Sequence, residues 1–485
     1  MSLLEKFAGV ERRFRALRSL GRDPSSMMFD EVISPTMGVL EGREVLLFGT
    51  NNYLGMTFDE ACVEAAVAAT RAHGVGTTGS RAANGTYGAH KALEARVARF
   101  YGRAEAIVFS TGYTANLGTI CGVAGQGDQI LIDADSHASI YDACRMSGAE
   151  IIRFRHNSAA DLEKRLRRLE GRPGLKLVVT EGIFSMLGDS APLKDIAAVK
   201  RAAGENVHLL VDEAHSLGVL GETGRGKCEA DGVEADVDFV VGTFSKSIGC
   251  VGGFCTSDMP GFEALRVLSR PYMFTASMTP ATVASADAAF RLMSERPQAI
   301  RDLARNAEAL YAGLARMGFE LGPEPSPVVA VKCPDAPTAV ALWNGLIDAG
   351  LYTNIAIPPA TPNALSLLRV SISAAHESWQ IARALDTLEA VGARLGLISG
   401  RERPSQELVA GSASAAPIAA PVGAEPRAAA RGRASASIAP EPAGRPRPRP
   451  RGTAGRSVQG RAAGVARDLV PQIGGAAAVG EGGLS

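Results

Sequence analysis

The sequence predicts an α/β protein with a mainly parallel central sheet in a large domain, followed by a smaller α+β domain. Between residues 60 and 275, short apolar runs alternate with helical patterns. The runs are continuously apolar, which is typical of strands covered on both faces in a parallel sheet. After residue 281 a long helical pattern leads to two apolar strands and two more helices, which indicates an α+β arrangement.

The individual elements of the large domain follow from the same patterns. The predicted buried strands are Ala106–Ser110, Gln129–Asp133, Leu177–Thr180, His208–Asp212 and Phe239–Gly242. The clearest helical patterns are Glu60–His73, Thr114–Gly122 and Pro192–Ala203. In such sheets ligands bind beyond the carboxyl ends of the strands, so the residues that follow these runs are candidates for a site.

The remainder of the chain divides into three further segments. In the C-terminal domain we predict helices at Ala281–Met317, Ala336–Ala349 and Ser378–Leu395, and strands at Val328–Lys332 and Leu368–Ser373. The predicted domains are an N-terminal helical segment (1–45), the large domain (46–280), the small domain (281–400) and a disordered tail (401–485).

Composition excludes several classes of protein. The chain has 485 residues, equal numbers of basic and acidic residues (51 each) and 46% hydrophobic residues, as expected for a globular protein. No run approaches the roughly 18 apolar residues of a membrane span. Its seven cysteines contain no C-x-x-C pair, so neither a disulfide framework nor a metal site is expected, and a cytoplasmic location fits best.

The two termini differ in character from the body. Residues 401–485 hold twelve arginines, six acidic residues and no aromatic residue, a composition typical of disorder. A solvated tail without a fixed partner is favoured over one that contacts nucleic acid, anionic lipid or an acidic protein. Near the N-terminus, Leu3, Leu4 and Phe7 recur at helical spacing, which indicates an amphipathic helix that packs on the body or on a partner subunit. Shallow peripheral membrane contact is the less favoured alternative.

A carboxylate and a lysine at strand ends give the strongest chemical signal. Asp212 ends a predicted strand, where a buried charge requires a partner, and His215 follows it closely. Lys246 comes just after another strand in a glycine-rich context, where burial lowers the pKa of an amine for Schiff-base chemistry. A lysine with an aspartate for a pyridinium nitrogen is typical of pyridoxal phosphate sites.

Two further strand ends support the same cofactor. Gly112 and Tyr113 follow a strand and begin a helix, whose free amides favour a phosphate. His137 follows the strand Gln129–Asp133, where its imidazole can stack on an aromatic ring. Each of these residues has an ordinary structural explanation, and it is their combination in one domain that indicates the site.

The motifs that contain these residues resemble those of the α-oxoamine synthases. The segments concerned are GTNNYLG (49–55), GSRAANG (79–85), FSTGYTAN (109–116), DADSHASIY (133–141), EGIFSMLGD (181–189), DEAHSLG (212–218) and GTFSKSIGCVGG (242–253). Members of this family are fold-type-I pyridoxal phosphate enzymes that join an amino acid to an acyl-CoA with loss of CO2. Within the family the chain is most similar to the soluble bacterial serine palmitoyltransferases, over about residues 25–398.

The resemblance implies a role for each motif residue around the cofactor. Lys246 would bind the cofactor covalently and act as base and acid at the substrate α-carbon. Asp212 would keep the pyridine nitrogen protonated, His215 would hydrogen-bond the ring oxygen, and His137 would stack on the ring. Gly112, Tyr113, Thr243 and Ser245 would surround the phosphate.

The resemblance also implies a shared site and a substrate pair. Thr275 would reach the phosphate of the neighbouring subunit, which implies a homodimer with shared active sites. Arg369 would bind the substrate carboxylate, and Asn52 lies in a loop that approaches the site. The expected substrates are L-serine and a long-chain acyl-CoA, the product is 3-ketodihydrosphingosine, and no nucleic acid partner is expected.

One residue departs from the subfamily pattern. Ile357 stands where those enzymes carry an arginine that contacts the serine carboxylate. An apolar side chain cannot make that contact, so we expect the carboxylate to depend more on Arg369 and His137.

Three hypotheses about function follow from the sequence. The first is a serine palmitoyltransferase. The second is a sister synthase that uses glycine or alanine, of the 5-aminolevulinate synthase, 2-amino-3-ketobutyrate CoA ligase or 8-amino-7-oxononanoate synthase type. The third is a non-catalytic partner subunit, against which the joint presence of Lys246, Asp212, His215 and His137 argues. Asn84 and the residues around the lysine favour the first hypothesis.

Overall fold

The computed structural model describes residues 2–24, 26–358, 361 and 364–399. The disorder predicted for 401–485 concerns residues outside this described part. The strands are β1 (Phe29–Ser34), β2 (Met37–Leu40), β3 (Arg43–Leu47), β4 (Glu105–Phe109), β5 (Gln129–Asp133), β6 (Glu150–Phe154), β7 (Lys176–Glu181), β8 (Val207–Asp212), β9 (Phe239–Thr243), β10 (Gly253–Ser257), β11 (Val328–Cys333), β12 (Leu351–Tyr352), β13 (Asn354–Ala356) and β14 (Ser366–Ser371). The helices are α1 (Leu3–Arg18), α2 (Glu60–His73), α3 (Gly88–Tyr101), α4 (Gly112–Val123), α5 (Ala138–Ser147), α6 (Ala159–Arg167), α7 (Leu193–Ala203), α8 (Lys227–Asp231), α9 (Leu265–Leu268), α10 (Arg270–Phe274), α11 (Pro280–Glu295), α12 (Gln298–Met317), α13 (Ala336–Asp348) and α14 (Ser378–Arg394).

A seven-stranded sheet in the order β4-β10-β9-β8-β7-β5-β6 forms the centre of the fold. Its strands pair in parallel except for β10, which is antiparallel to both β4 and β9. Every residue of β5, β7, β9 and β10 is buried, since helices cover both faces of the sheet. The predicted α/β fold with a mainly parallel sheet is confirmed.

Two strands of this sheet do not stand out in the sequence. β6 lies at the sheet edge, and its exposed Glu150 and Arg153 interrupt the apolar pattern. β10 begins in the glycine-rich run after Lys246 and contains polar Thr256 and Ser257, both fully buried. Their hydroxyls bond to backbone carbonyls, which satisfies the buried polar groups without any apolar signal in the sequence.

The N-terminal segment is only partly helical, contrary to the prediction for residues 1–45. After α1, the strands β1, β2 and β3 form an antiparallel sheet that β12 extends in parallel. Glu41 and Gly42 link β2 to β3 with φ angles of 52° and 72°. Two consecutive residues with positive φ form the tight turn that suits a two-residue hairpin, which explains the strands.

The region after residue 280 has the predicted α+β composition. β11, β14 and β13 form a three-stranded antiparallel sheet. The single helix predicted for Ala281–Met317 is two helices, α11 and α12, because the chain leaves helical geometry at Arg296 and Pro297 follows.

The domain boundary at residue 280 stays a prediction. α11 packs against α2 and α3, both of which come from the predicted large domain. All described residues fall within one compact unit. In the part of the chain that the structure describes, none of the helices combines the length and hydrophobicity needed to traverse a bilayer.

Candidate active site

The carboxyl ends of five parallel strands lie at one edge of the central sheet. β4 is followed by Gly112, β5 by His137 and β9 by Lys246, while Glu181 and Asp212 are the last residues of β7 and β8. Because these strands run in the same direction, the residues at their ends face one region, and all of them except Glu181 are residues that the sequence singles out.

Asp212 is buried and its carboxylate is held by hydrogen bonds from neutral donors. Asn116 Nδ2 donates to Oδ2 at 2.6 Å, and the backbone amide of Ala214 donates to Oδ1 at 2.8 Å. Asn116 also donates to Ser139 Oγ at 3.0 Å, which fixes its orientation. The chain therefore presents a negative charge that suits a cationic group such as a protonated pyridine nitrogen.

Lys246 lies in the turn after β9 with a half-buried side chain. Burial lowers the pKa of its amine to about 8, against the opposite influence of the Asp212 and Glu181 carboxyl groups, and nearby Arg369 lowers it further. An amine with this pKa is unprotonated in part at neutral pH and can act as a nucleophile or base. The environment predicted for this lysine is thus present.

His137 caps the N-terminus of α5 and is oriented through both its ring and its backbone. Its Nδ1 accepts a hydrogen bond from the Ser139 amide at 3.2 Å and lies 2.8 Å from Ser139 Oγ. Its backbone amide donates to Glu181 Oε1 at 2.5 Å. Burial lowers the pKa of His137, and Lys246 does so too, while Asp212 has the opposite influence. The imidazole is therefore neutral, as stacking on a cofactor ring allows.

Glu181 is a buried carboxyl that sequence reasoning missed as a site residue. It pairs in register with Asp212 on the adjacent strand. Burial, reinforced by the Asp212 charge, raises the pKa of Glu181 well above its usual value. The signal in the sequence was its position at the end of β7, as the first residue of the EGIFSMLGD segment.

His215 is buried against Tyr53, another residue that sequence reasoning did not assign. The Tyr53 hydroxyl lies 2.7 Å from His215 Nδ1. Burial lowers the pKa of His215 far below its ordinary value, and Lys246 and Arg369 add to the effect. Tyr53 belongs to the GTNNYLG segment, so its motif was found although its role was not.

The start of α4 forms a cradle for an anion together with the residues after β9. A Cβ on Gly112 would lie 2.7 Å from Thr243 Cβ, so only glycine permits this approach. Thr243 Oγ1 lies 2.9 Å from Ser245 Oγ and accepts the Ser245 amide at 3.3 Å. Helix-start amides beside two hydroxyls suit a phosphate group. The hydroxyl of the adjacent Tyr113 donates to the Asp142 carboxylate.

Arg369 and Asn52 bring unpartnered polar atoms to the site. Arg369 Nε and Nη2 are buried without a hydrogen-bond partner, and so is Asn52 Oδ1. Asn52 Nδ2 donates to Thr57 Oγ1 at 2.7 Å. Burial lowers the pKa of Arg369, whose charge in turn influences His215 and Lys246. A buried guanidinium with free donors suits an anionic ligand such as a carboxylate.

The two remaining predicted positions lie at the periphery. Thr275 ends α10 and is half-buried beside Ala276, whose carbonyl accepts the Ser110 hydroxyl at 2.5 Å. The predicted contact of Thr275 with the phosphate of a neighbouring subunit stays a prediction. Ile357 is half-buried and packs against the apolar core. Its side chain offers no polar contact to a ligand.

The donor set fits pyridoxal phosphate on several independent features. Asp212 provides the negative charge, Lys246 the amine, the Gly112 cradle the anion site and His137 a neutral aromatic face. Glycine at position 112 lets the start of α4 approach Thr243 closely, which brings the helix-start amides beside the two hydroxyls. The cofactor that the sequence indicates matches the groups that this site presents.

Comparisons with known proteins agree with the geometry. The aminotransferase class I and II family matches residues 43–388. A serine palmitoyltransferase of Caulobacter vibrioides is 55% identical over 403 residues, which cover 83% of this chain and 99% of that relative. An 8-amino-7-oxononanoate synthase of Geobacter metallireducens is 38% identical over 362 residues, covering 74% of this chain and 92% of the relative.

A solved structure extends the likeness to three dimensions. The serine palmitoyltransferase of S. paucimobilis with bound pyridoxal phosphate and myriocin superimposes with a TM-score of 0.80 at 49% identity, covering 82% of this chain and 100% of that one. The fold is thus that of the fold-type-I transferases, and the cofactor is pyridoxal phosphate. The chain belongs to the aminotransferase class I and II family and, within it, to the α-oxoamine synthases.

Proposed function

We propose that this chain is a serine palmitoyltransferase, which condenses L-serine with a long-chain acyl-CoA, releases CO2 and forms 3-ketodihydrosphingosine, the first step of sphingolipid synthesis. The observation that carries the proposal is the buried guanidinium of Arg369, whose free donors share one site with Lys246 and Asp212. The identity of 55% to a serine palmitoyltransferase supports the same substrate pair.

Lys246 and Asp212 carry the chemistry at the α-carbon. When bound, pyridoxal phosphate supplies an electron-withdrawing ring that stabilises negative charge at the α-carbon of an attached amino acid. The Asp212 carboxylate would accept a hydrogen bond from the ring nitrogen and so keep that nitrogen protonated. The Lys246 amine, with a pKa near 8, takes the α-proton of serine and returns a proton after CO2 leaves.

His137 and His215 are neutral, and their role is to orient the cofactor ring rather than to transfer protons. His137 presents a neutral imidazole face, fixed by Ser139 and Glu181, for stacking above the ring. His215 is neutral and held by Tyr53, so it can donate a hydrogen bond to the ring oxygen only if Nε2 carries the proton. In that tautomer the Tyr53 hydroxyl donates to Nδ1.

Recognition of serine rests on few groups. Arg369 Nε and Nη2 are both free, and two parallel donors match the two oxygens of a carboxylate. Ile357 adds no charge at the position where an arginine stands in the subfamily, so the interaction depends on Arg369 with His137. The unpartnered Asn52 Oδ1 is available to accept from the serine hydroxyl or amine.

A sister synthase that uses glycine or alanine is the alternative from the same family. The 8-amino-7-oxononanoate synthase relative is 38% identical, against 55% for the serine palmitoyltransferase. The difference in identity favours serine.

The proposed active form is a homodimer with shared sites. The large side chains of Val75, Val251 and Phe274 are 83%, 57% and 72% exposed. The Ser277 amide bonds to the Gly79 carbonyl, which brings two of these exposed segments together near Thr275. An apolar surface beside the phosphate cradle supports a partner subunit there. Light scattering is expected to give twice the chain mass of 50.4 kDa, and a monomer would contradict this assembly.

The proposed location is the cytoplasm. All seven cysteines are free thiols in the structure, and five of them are buried. Unpaired cysteines in this number are typical of a reducing compartment.

A product assay tests the proposed reaction. The purified chain is incubated with pyridoxal phosphate, palmitoyl-CoA and L-serine, glycine or L-alanine, and products are identified by mass spectrometry. We expect 3-ketodihydrosphingosine with serine and release of one CO2 for each product. A product with glycine or alanine but not with serine would replace the proposal by a sister synthase, and the Lys246→Ala variant is the matched control without turnover.

A further inference from the structure

A second ionic cluster, largely buried, lies at the same edge of the sheet as the active site. It consists of Asp133 at the end of β5, His156 after β6 and Asp189 after β7, and we call it the imidazolium clamp. His156 Nδ1 lies 2.8 Å from Asp133 Oδ1, and its Nε2 lies 2.7 Å from Asp189 Oδ2. Asp133 is fully buried and Asp189 nearly so. The resemblance and the catalytic proposal give this cluster no role.

Both ring nitrogens of His156 face carboxylate oxygens, so both must carry a proton for the two hydrogen bonds to form. Burial lowers the pKa of His156, but the bonds to Asp133 and Asp189 outweigh it and raise the pKa to about 10. Asp135 is a further carboxylate near the ring, at 4.0 Å from Nδ1. His156 is therefore a cation at neutral pH, and it joins two loops.

The first of these loops carries His137. Asp133 Oδ1 also accepts the backbone amide of Asp135 at 2.9 Å, and the Asp133 carbonyl accepts the Ser136 amide at 3.2 Å. These bonds shape the turn from β5 into α5, whose N-cap is His137. The position of the His137 ring thus depends on the side chain that His156 holds.

The second loop leads from the active site to the C-terminal sheet. It begins after Glu181, which accepts the His137 amide, and it contains Asp189. At its far end the Ser190 amide donates to Glu324 Oε1 at 2.5 Å, and a Cβ on Gly188 would lie 2.1 Å from the Val328 carbonyl. Val328 begins β11, which pairs with the strand that carries Arg369.

We propose that His156 is a positioning residue for serine binding, because its two hydrogen bonds fix the spacing between His137 and Arg369. These are the two groups on which the serine carboxylate depends, since Ile357 contributes no contact. The clamp touches neither Lys246 nor the phosphate cradle. Its loss therefore weakens serine binding more than cofactor binding, because Lys246, Asp212 and the phosphate cradle still hold the cofactor when the His137 ring shifts. This inference rests on the proposed function.

The neighbouring Asn157 makes the test practicable. The backbone amide of Asn157 donates to Asp133 Oδ2 at 2.9 Å, and its side-chain Nδ2 donates to Asp189 Oδ2 at 2.7 Å. A second link between the same two carboxylates remains when His156 is replaced. We therefore expect His156→Gln to fold, with a lower melting temperature than the wild type.

The experiment measures cofactor and serine affinity separately on the cofactor-loaded enzyme. Pyridoxal phosphate affinity is followed by fluorescence, and serine affinity by the change in cofactor absorbance. In His156→Gln we expect the apparent Kd for serine to rise about tenfold or more, with a much smaller rise in the Kd for pyridoxal phosphate. His73→Gln, on the exposed end of α2, is the matched control and should retain both affinities.

The outcomes separate this inference from the proposed function. A wild-type protein that does not respond to serine contradicts the proposed function itself. An unchanged Kd for serine in His156→Gln, or an equal weakening of serine and cofactor, would overturn the positioning role. If that variant does not fold, Asp189→Asn keeps the bond from His156 to Asp133, and we expect a rise of several-fold in the serine Kd. No rise there overturns the inference as well.

Discussion

The two buried ionic clusters at the same sheet edge differ in how their charges are paired. In the imidazolium clamp both nitrogens of His156 bond to carboxylates within the chain. In the active site, Arg369 Nε and Nη2 have no partner, and Asp212 is held by neutral donors. A buried charge without a partner is costly. The difference indicates that the clamp keeps its shape alone, whereas the active site is completed by cofactor and substrate.

The largest expected effect on the active site comes from removing the amine of Lys246. We expect Lys246→Ala to lower the rate of product formation by about a thousandfold or more, because Lys246 is the base assigned to the α-proton. The variant should still bind pyridoxal phosphate, since Asp212 and the Gly112 cradle remain. Lys194→Ala, an exposed lysine on α7, is the control. Substantial product from Lys246→Ala would refute the assigned role.

Removal of the unpartnered guanidinium tests the substrate side of the same cluster. Arg369→Ala is expected to raise KM for serine by about a hundredfold, the effect of losing a charge-assisted pair, with little change in the affinity for pyridoxal phosphate. Steady-state kinetics measure the KM for serine, and Arg383→Ala, which replaces an exposed arginine, is the control. An unchanged KM would show that the carboxylate binds elsewhere.

The imidazolium clamp predicts that the free energy of unfolding falls at alkaline pH. The pKa of His156 in the folded state is about 10, above its ordinary value of 6.5. The cation therefore contributes fully below pH 6.5, and its contribution is lost as the pH rises through 10. We expect a loss of about 2 kcal/mol in the free energy of unfolding, since the ring is partly exposed.

Urea unfolding between pH 6.5 and 10 measures this loss. His156→Gln should show a flatter profile than the wild type over the same range, because the glutamine at position 156 does not titrate. Parallel profiles for the two proteins would contradict the assignment of a raised pKa to His156.

The smallest expected effect on the active site comes from removing one hydroxyl group, that of Tyr53. Tyr53→Phe leaves His215 Nδ1 buried without the partner at 2.7 Å, and we expect kcat to fall about tenfold. Tyr311→Phe removes a hydroxyl that bonds to the Gly322 carbonyl outside the site, so it is the matched control. Equal effects of both variants on kcat would exclude a specific role for Tyr53.

The sequence predicts the large-scale fold and the residues at strand ends because both follow from local patterns. Continuous apolar runs mark β5, β7, β8 and β9, and the residues beyond them, Asp212 and Lys246, lie together as parallel strands require. The elements that the sequence did not predict were missed for physical reasons. The hairpin of β2 and β3 is encoded by the backbone angles of Glu41 and Gly42, which composition does not reveal.

Other site residues depend on contacts between distant parts of the chain. Tyr53 reaches His215 across 162 residues, and Asn116 reaches Asp212 across 96. The clamp joins three loops, and no single segment of the sequence contains its geometry. Partners of this kind become visible only once the sheet brings the strand ends together.

The most direct test of the central claim is the visible spectrum of the cofactor-loaded protein during titration with L-serine, with glycine and L-alanine in parallel. The account predicts a saturable change in the cofactor absorbance with serine and none of comparable affinity with glycine or alanine. A response to glycine or alanine in preference to serine would contradict the assignment of the substrate. A protein that shows no cofactor absorbance after addition of pyridoxal phosphate would contradict the account as a whole.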